Sequence, residues 1–152
     1  MLRSLLVLVT VLALSVPAGA VEKAVEKKAV KGQAAQLLAD ISYFAAQAIA
    51  ADMIVVFSER GATARLISKQ RPVSPIIAFT PYESVRQRMA LYWGVRPSLI
   101  PQIEHTDDRV EEAERKLKAE GLVKGGEKIV ILSGTQVGQP GGTNLMKLHE
   151  VR

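Results

Sequence analysis

Two short stretches carry residue types that could do chemistry. Ser58-Glu59-Arg60-Gly61-Ala62-Thr63 follows the apolar run Ile54-Val55-Val56-Phe57 and leads into helix-forming residues. A glycine that permits a tight turn, two hydroxyls and the free amides of a starting helix are donors, and donors in that order suit an anion such as a phosphate group. Gly134-Thr135-Gln136-Val137-Gly138-Gln139-Pro140-Gly141-Gly142-Thr143 ends another apolar run and could fold over the same spot. From local pattern alone, the plainer alternative of a glycine-rich connection with no ligand stands ahead of a binding loop.

Other chemistries find little support. The absence of cysteine excludes disulfides, thiol catalysis and cysteine-based zinc sites. His105 and His149 are isolated, with no ligand set around them, and read as surface or interface histidines; no metal or other cofactor is implied. Trp93, beside Gly94, reads as a packing residue. Glu111, Glu112, Glu114, Arg115, Lys116 and Lys118 read as a solvated helix face laced by ion pairs. There is no Gly-x-Ser-x-Gly elbow and no Walker-type loop.

The 152 residues fit one domain, and a hydrophobic content of 48% is ample for a core. Part of that content belongs to residues 1–20, where Arg3, the apolar run from Leu5 to Val16, Pro17 and Ala18-Gly19-Ala20 have the order of a secretory leader cleaved after Ala20. The apolar run is shorter than the roughly 18 to 20 residues that span a bilayer, so no stable membrane insertion is expected. Export to a secreted or periplasmic location follows from that reading. Loss of the leader removes Arg3 alone among charged residues and takes the net charge from +5 to +4. The remaining Lys and Arg are interspersed with Asp and Glu, which gives no nucleic-acid face.

The elements that must position the two stretches follow from periodicity. Residues 21–32 read as a solvated lead-in, and residues 33–152 as the domain. A helix is expected from Gln33 to about Ala51, with Leu37, Ile41, Phe44, Ala48 and Ala51 as its inward stripe. Met53–Phe57, Pro75–Phe79 and Lys128–Ser133 are apolar runs that suit strands buried on both faces, and Arg96–Pro101 suits a short Pro-bounded strand near an edge. A second helix spans Ala62 to about Gln70, ahead of Arg71-Pro72. The next is opened by Thr80 as cap, Pro81 at the first position and Glu83 at the third, with Val85, Met89 and Tyr92 inward and Gly94 as its stop. Asp107 and Asp108 open another, with Val110, Ala113 and Leu117 inward and Gly121 as its stop. Asn144–Val151 forms a last strand after a hairpin-like loop, and its open edge invites self-association. The order predicts a three-layer α/β sandwich: a five-stranded, mostly parallel sheet with an antiparallel last strand and helices on both faces.

The stretch IVVFSERGATARLISKQRPVSPIIAFTPYESVRQRMALYWGVRPSLI, followed by GLVKGGEKIVILSGTQVGQPGGTNLMKLHEV, closely resembles the C-terminal domain of bacterial pyruvate kinases over about Ile41 to Val151. The resemblance rests on the Ser-Glu-x-Gly turn, the Arg-Pro-x-x-Pro-Ile-Ile-Ala segment, the aromatic-Gly-Val-x-Pro segment and the final Gly-rich element ending in Thr-Asn-Leu. It implies a five-stranded sheet flanked by helices, a place at the subunit interfaces of a tetramer, and a phosphorylated allosteric effector such as a sugar phosphate or nucleotide monophosphate. Carried over by position, the effector phosphate lies on Ser58, Glu59, Arg60, Gly61, Ala62 and Thr63. The loop of Gly138, Gln139, Pro140, Gly141, Gly142 and Thr143 closes over the sugar, and Arg109 matches an arginine that takes a second phosphate. Arg60 stands where the family has a small hydroxyl residue, and Ala62 lacks a donor side chain.

The family's catalytic barrel, with its metal-binding carboxylates and nucleotide site, is not represented in these residues. The resemblance therefore implies a non-catalytic domain that binds a phosphorylated metabolite, mediates subunit interaction, or both. Its alternatives are the regulatory part of a split glycolytic pyruvate kinase whose barrel is another chain, converting phosphoenolpyruvate and ADP to pyruvate and ATP, and a vestigial fragment with no ligand. The family's own compartment, the cytoplasm, is the alternative to export.

Overall fold

Met53–Phe57 (β1) is buried at every position. Ile54 and Val56 enter one hydrophobic cluster, and Met53, Val55 and Phe57 enter another. A strand puts successive side chains on opposite faces, so an unbroken apolar run needs a sheet covered on both sides. The computed structural model, which describes residues 18–134 and 142–152, has that arrangement. β2 (Ile76–Thr80) and β4 (Lys128–Gly134) split their side chains between the same two clusters. β3 (Val95–Leu99) and β5 (Thr143–Glu150) complete the sheet in the order β3-β2-β1-β4-β5, with β5 the only antiparallel member.

One face is covered by α1 (Ala18–Ala48), α2 (Ala62–Gln70) and α3 (Glu83–Met89), the other by α4 (Thr106–Ala119). This is the three-layer α/β sandwich expected from the sequence, with the predicted bounds of α2 met at both ends. Arg71, which follows α2, has a left-handed φ of 48°, and Gly94 and Gly121 have positive φ in the turns after α3 and α4. No described helix is long and apolar enough to cross a membrane. Residues 1–17, most of the stretch expected to be a leader, lie outside the described residues, and Ala20, the expected cleavage position, falls within α1.

The first helix differs from expectation in extent and in face. α1 begins at Ala18, so it runs through the segment 21–32 read as a lead-in, and it ends at Ala48. Its inward side consists of Ala35, Ala39, Ser42 and Ala46, aided by Leu38 and Ile49. Leu37, Ile41 and Phe44, expected in the core, are 59%, 41% and 65% exposed, and Ala48 is also exposed; of the expected stripe only Ala51, just past the helix, is buried. Two apolar stripes run along one helix, and period alone does not say which is turned inward. Alanines win because a small-residue surface lets α1 lie close over α2, β4 and β5.

Two smaller corrections concern α3 and β3. Tyr82, not Thr80, is the residue before the first helical position, and its side chain makes no capping hydrogen bond to α3. Thr80 is the buried last residue of β2, where its Oγ1 accepts a hydrogen bond from Tyr82 N at 3.3 Å. β3 runs Val95–Leu99, which leaves Ile100 and Pro101 in the connection to α4.

Candidate functional site

β1 leads through α2 to β2 on one side, whereas the chain returns from β3 through α4 to place β4 on the other side of β1. The carboxyl ends of β1 and β4 therefore diverge into a crevice, the place where open α/β sheets bind ligands. A pocket enclosing about 760 Å³, part of it continuous with solvent, lies there. Ser58 to Arg60, Ala62 and Thr63 form one wall, Gly134, Gly142 and Thr143 another, and Arg109 a third.

Gly61 is the hinge of the first wall. Its φ of 76° is left-handed, and it sits at the residue before α2. Gly61 has no side chain to cap α2, and the first amides of a helix carry the partial positive charge of its start. Gly61 O accepts from Arg65 N at 3.0 Å, and Arg60 O accepts from Arg88 Nη2 at 2.7 Å, which ties the turn to α3. A side chain at residue 61 has no room: a Cβ would lie 3.0 Å from Met89 Cγ. Glycine is needed here for φ and for space.

The second wall is joined to the first by one buried hydrogen bond. Thr63 Oγ1 and Thr143 Oγ1, 80 residues apart in sequence, are separated by 2.6 Å. Either hydroxyl can donate, so the pair keeps one proton to offer onward and holds the start of β5 against the start of α2. Ser58, also buried, sits in the β1–β2 ladder through its amide to Phe79 O at 2.9 Å.

Arg109 brings the charge. Its Nη2 donates to Gly134 O at 3.0 Å and to Thr106 Oγ1 at 3.3 Å, and its guanidinium lies 5.7 Å from the centre of the Phe57 ring. Its Nε is buried and has no hydrogen-bond partner among the described residues. Burial pushes the Arg109 pKa down from its ordinary value, and the negative charge of Glu59 works against that shift. A guanidinium this far above neutral pH stays charged, and partial desolvation strengthens its attraction for an anion.

Of the residues singled out in the sequence, Ser58, Glu59, Arg60, Ala62, Thr63, Gly142, Thr143 and Arg109 all line this one pocket, with Gly61 setting the turn. Gly138, Gln139, Pro140 and Gly141 lie outside the described residues. Sequence reasoning missed the apolar wall of Phe79, Pro81, Ile100, Pro101 and Ile103, together with Ala35 of α1. Phe79 lies at the carboxyl end of β2, and Pro81 and Ile100 just past the ends of β2 and β3, so the strand order is the signal that finds them. The assembled groups are hydrogen-bond donors and a guanidinium beside an apolar wall, a set that holds an anion carrying an organic body. Among the described residues no group of His, Cys, Asp and Glu could hold a metal ion.

A second polar cluster joins α4 to β5. Glu114, read from sequence as part of a solvated face, accepts from His149 Nε2 at 2.7 Å, Lys118 Nζ at 2.8 Å and Arg152 N at 3.0 Å. Burial acts to raise its pKa, but the hydrogen bonds from Lys118, His149 and Arg152 outweigh it and bring the carboxyl to about 2. Trp93, expected in packing, is half exposed, with the Arg71 guanidinium 5.7 Å above its ring.

The sequence profile described as "Pyruvate kinase, alpha/beta domain" matches residues 36–149. The pyruvate kinase of Lactobacillus delbrueckii subsp. bulgaricus is 42% identical over 104 residues, which cover 68% of this chain and 18% of that protein. That of Lactococcus lactis subsp. lactis is 43% identical over 108 residues, 71% of this chain and 21% of that protein. Among solved structures, a pyruvate kinase from Cryptosporidium parvum superposes with a TM-score of 0.70 at 29% identity, over 78% of this chain and 23% of that one. The chain thus spans about a fifth of the length of these relatives.

Proposed function

The chain belongs to the pyruvate kinase α/β-domain family, and we propose that it works as a binding module for a small phosphorylated metabolite. The phosphate rests on the turn Ser58–Thr63 and the organic body lies toward Arg109 and Ile100. One observation carries the reading: the Gly61 turn, the start of α2, the Thr63–Thr143 hydroxyl pair and Arg109 converge on a single pocket at the switch point of the sheet. Arg60, which replaces a small hydroxyl residue of the resembled family, adds a cation at the rim and offers a bidentate contact to phosphate. The module itself carries out no phosphoryl transfer.

A thermal-shift panel of ribose 5-phosphate, glucose 6-phosphate, fructose 1,6-bisphosphate and AMP tests this. At about 100 times its dissociation constant, a ligand bound only by the folded state adds about 2.7 kcal/mol. For a domain of this size that raises the melting temperature by roughly 8 to 14 °C. At least one member of the panel should do so, and the increment should shrink in Thr63→Ala. If none does, the turn is a connection only and the binding reading fails.

A second reading is favoured by the relatives being pyruvate kinases of which this chain matches only a part. In it, the module regulates a catalytic barrel on another chain. Phosphoenolpyruvate, ADP and Mg²⁺ supplied to the purified chain should give no turnover, and turnover should appear when a barrel of the family is added.

A further inference from the structure

The peptide between Arg60 and Gly61 is the joint at which the turn can lose its character. Glycine is needed at residue 61 for a φ of 76°, yet glycine occupies negative φ about as readily as positive. A rotation of the whole 60–61 peptide, which exchanges the directions of Arg60 C=O and Gly61 N–H, therefore meets little resistance from the glycine itself. In one orientation an amide faces the pocket, as an anion requires. In the other, a carbonyl oxygen takes its place and repels the anion. The turn works as a phosphate site only if something outside it selects the first.

Two contacts show which way the peptide is turned. Arg60 O accepts from Arg88 Nη2 of α3 at 2.7 Å. A Cβ built on Gly61 would lean to the same side, onto Met89 and Tyr92. The peptide is trans and planar, so Gly61 N–H points opposite to Arg60 C=O, away from α3. The pocket lies on that other side: Arg60 and Ala62, the neighbours of Gly61, line it, and no residue of α3 does. Arg88 also differs in use from the nearest cation of its own helix. Arg86 gives Nε and Nη2 to Glu83 within α3, at 2.8 and 2.6 Å, whereas Arg88 reaches out of the helix to a backbone carbonyl. Met89, the next residue, is fully buried, so Arg88 reaches from a fixed base.

We propose that Arg88 is a positioning residue: by holding Arg60 O toward α3 it keeps the Gly61 amide turned into the pocket as a donor to phosphate. The role rests on the phosphate-binding reading of the turn and adds to it a residue that touches no ligand. A donor set in direction before the ligand arrives needs no reordering on binding, and that ordering cost would otherwise be taken from the affinity.

Two readouts on the full chain test this. The residual dipolar coupling of Gly61 N–H, measured without ligand in a weakly aligning medium, reads the direction of the amide. Titration with ribose 5-phosphate and with inorganic phosphate reads its use. In Arg88→Ala the Gly61 coupling should change while the couplings of β1 and α2 keep their wild-type values, and affinity should fall roughly tenfold. Arg88→Lys, long enough to reach the same carbonyl, should restore both. Arg86→Ala removes an exposed cation from the same helix; it should leave the Gly61 coupling unchanged and move affinity by less than about twofold, because salt screens such a charge. A Gly61 coupling unmoved in Arg88→Ala would overturn the positioning role while leaving phosphate binding intact. So would an affinity loss in Arg86→Ala equal to that in Arg88→Ala, since removal of any nearby cation would then suffice. Absence of binding by the wild type would overturn the phosphate reading and, with it, the use of the amide, whatever the coupling does.

Discussion

Replacing Gly61 by alanine perturbs the turn that presents the amides of α2, and its cost can be worked from two terms. The first is conformational: φ is 76°, and an L residue held in the left-handed region costs about 1 to 2 kcal/mol. The second is steric. The added Cβ would stand 3.0 Å from Met89 Cγ, 3.4 Å from Met89 Sδ and 3.6 Å from Tyr92 Cε2. Met89 is fully buried in the cluster beneath α3, so it yields only by displacing neighbours, at about 1 to 2 kcal/mol given the suppleness of a methionine. The sum is about 2 to 4 kcal/mol. Gly94 is the control, with φ of 68° and nothing within 4 Å of a would-be Cβ, so Gly94→Ala meets the first term alone. Urea unfolding followed by circular dichroism reads both variants, and the midpoint should fall with little change in slope. In heat, roughly 3 to 5 °C is lost per kcal/mol at this size. Gly61→Ala should cost at least about 1 kcal/mol more than Gly94→Ala, and equal losses would refute the close approach of α3 to the turn.

Thr63→Val leaves the buried Thr143 hydroxyl without its partner and should cost about 1 to 3 kcal/mol, whereas Thr63→Val/Thr143→Val should recover most of it in urea melts. Glu114 is held at about 2 against an ordinary 4.5. Because its folded pKa is the lower one, its stabilisation is full above about pH 4.5 and is lost as pH falls toward 2. Urea melts between pH 5 and 2.5 should therefore show a shallower acid loss in Glu114→Gln than in the wild type. Export with cleavage after Ala20 predicts a natively produced protein that starts at Val21 by mass spectrometry, and an intact Met1 rejects it.

The strands were legible because their signal is chemical and local. Met53–Phe57 and Lys128–Ser133 have no polar face, and a chain with such runs has few solutions other than a covered sheet. α2 was legible at both ends because Gly61 and the Arg71-Pro72 pair punctuate it. α1 was read on the wrong face because two apolar stripes compete, and the choice is made by how closely the helix can approach the sheet. Glu114 looked solvated because its partners His149 and Arg152 come from the far end of the chain. The pocket divides the same way. Its donors were visible as a motif, while Phe79, Pro81 and Ile100 joined it only through the order of the strands.

The central claim is that the Gly61 turn holds the phosphate of a small metabolite. Amide-resolved NMR titration of the full chain with each phosphorylated compound of the panel, and with inorganic phosphate, measures it most directly. A bound phosphate should give saturable shifts at the amides of Gly61, Ala62, Thr63 and Thr143 and at the Arg109 side chain, weakened by roughly tenfold in affinity in Thr63→Ala. Shifts that never saturate at millimolar ligand, or that scatter over the surface lysines and leave Gly61 to Thr63 unmoved, would contradict it.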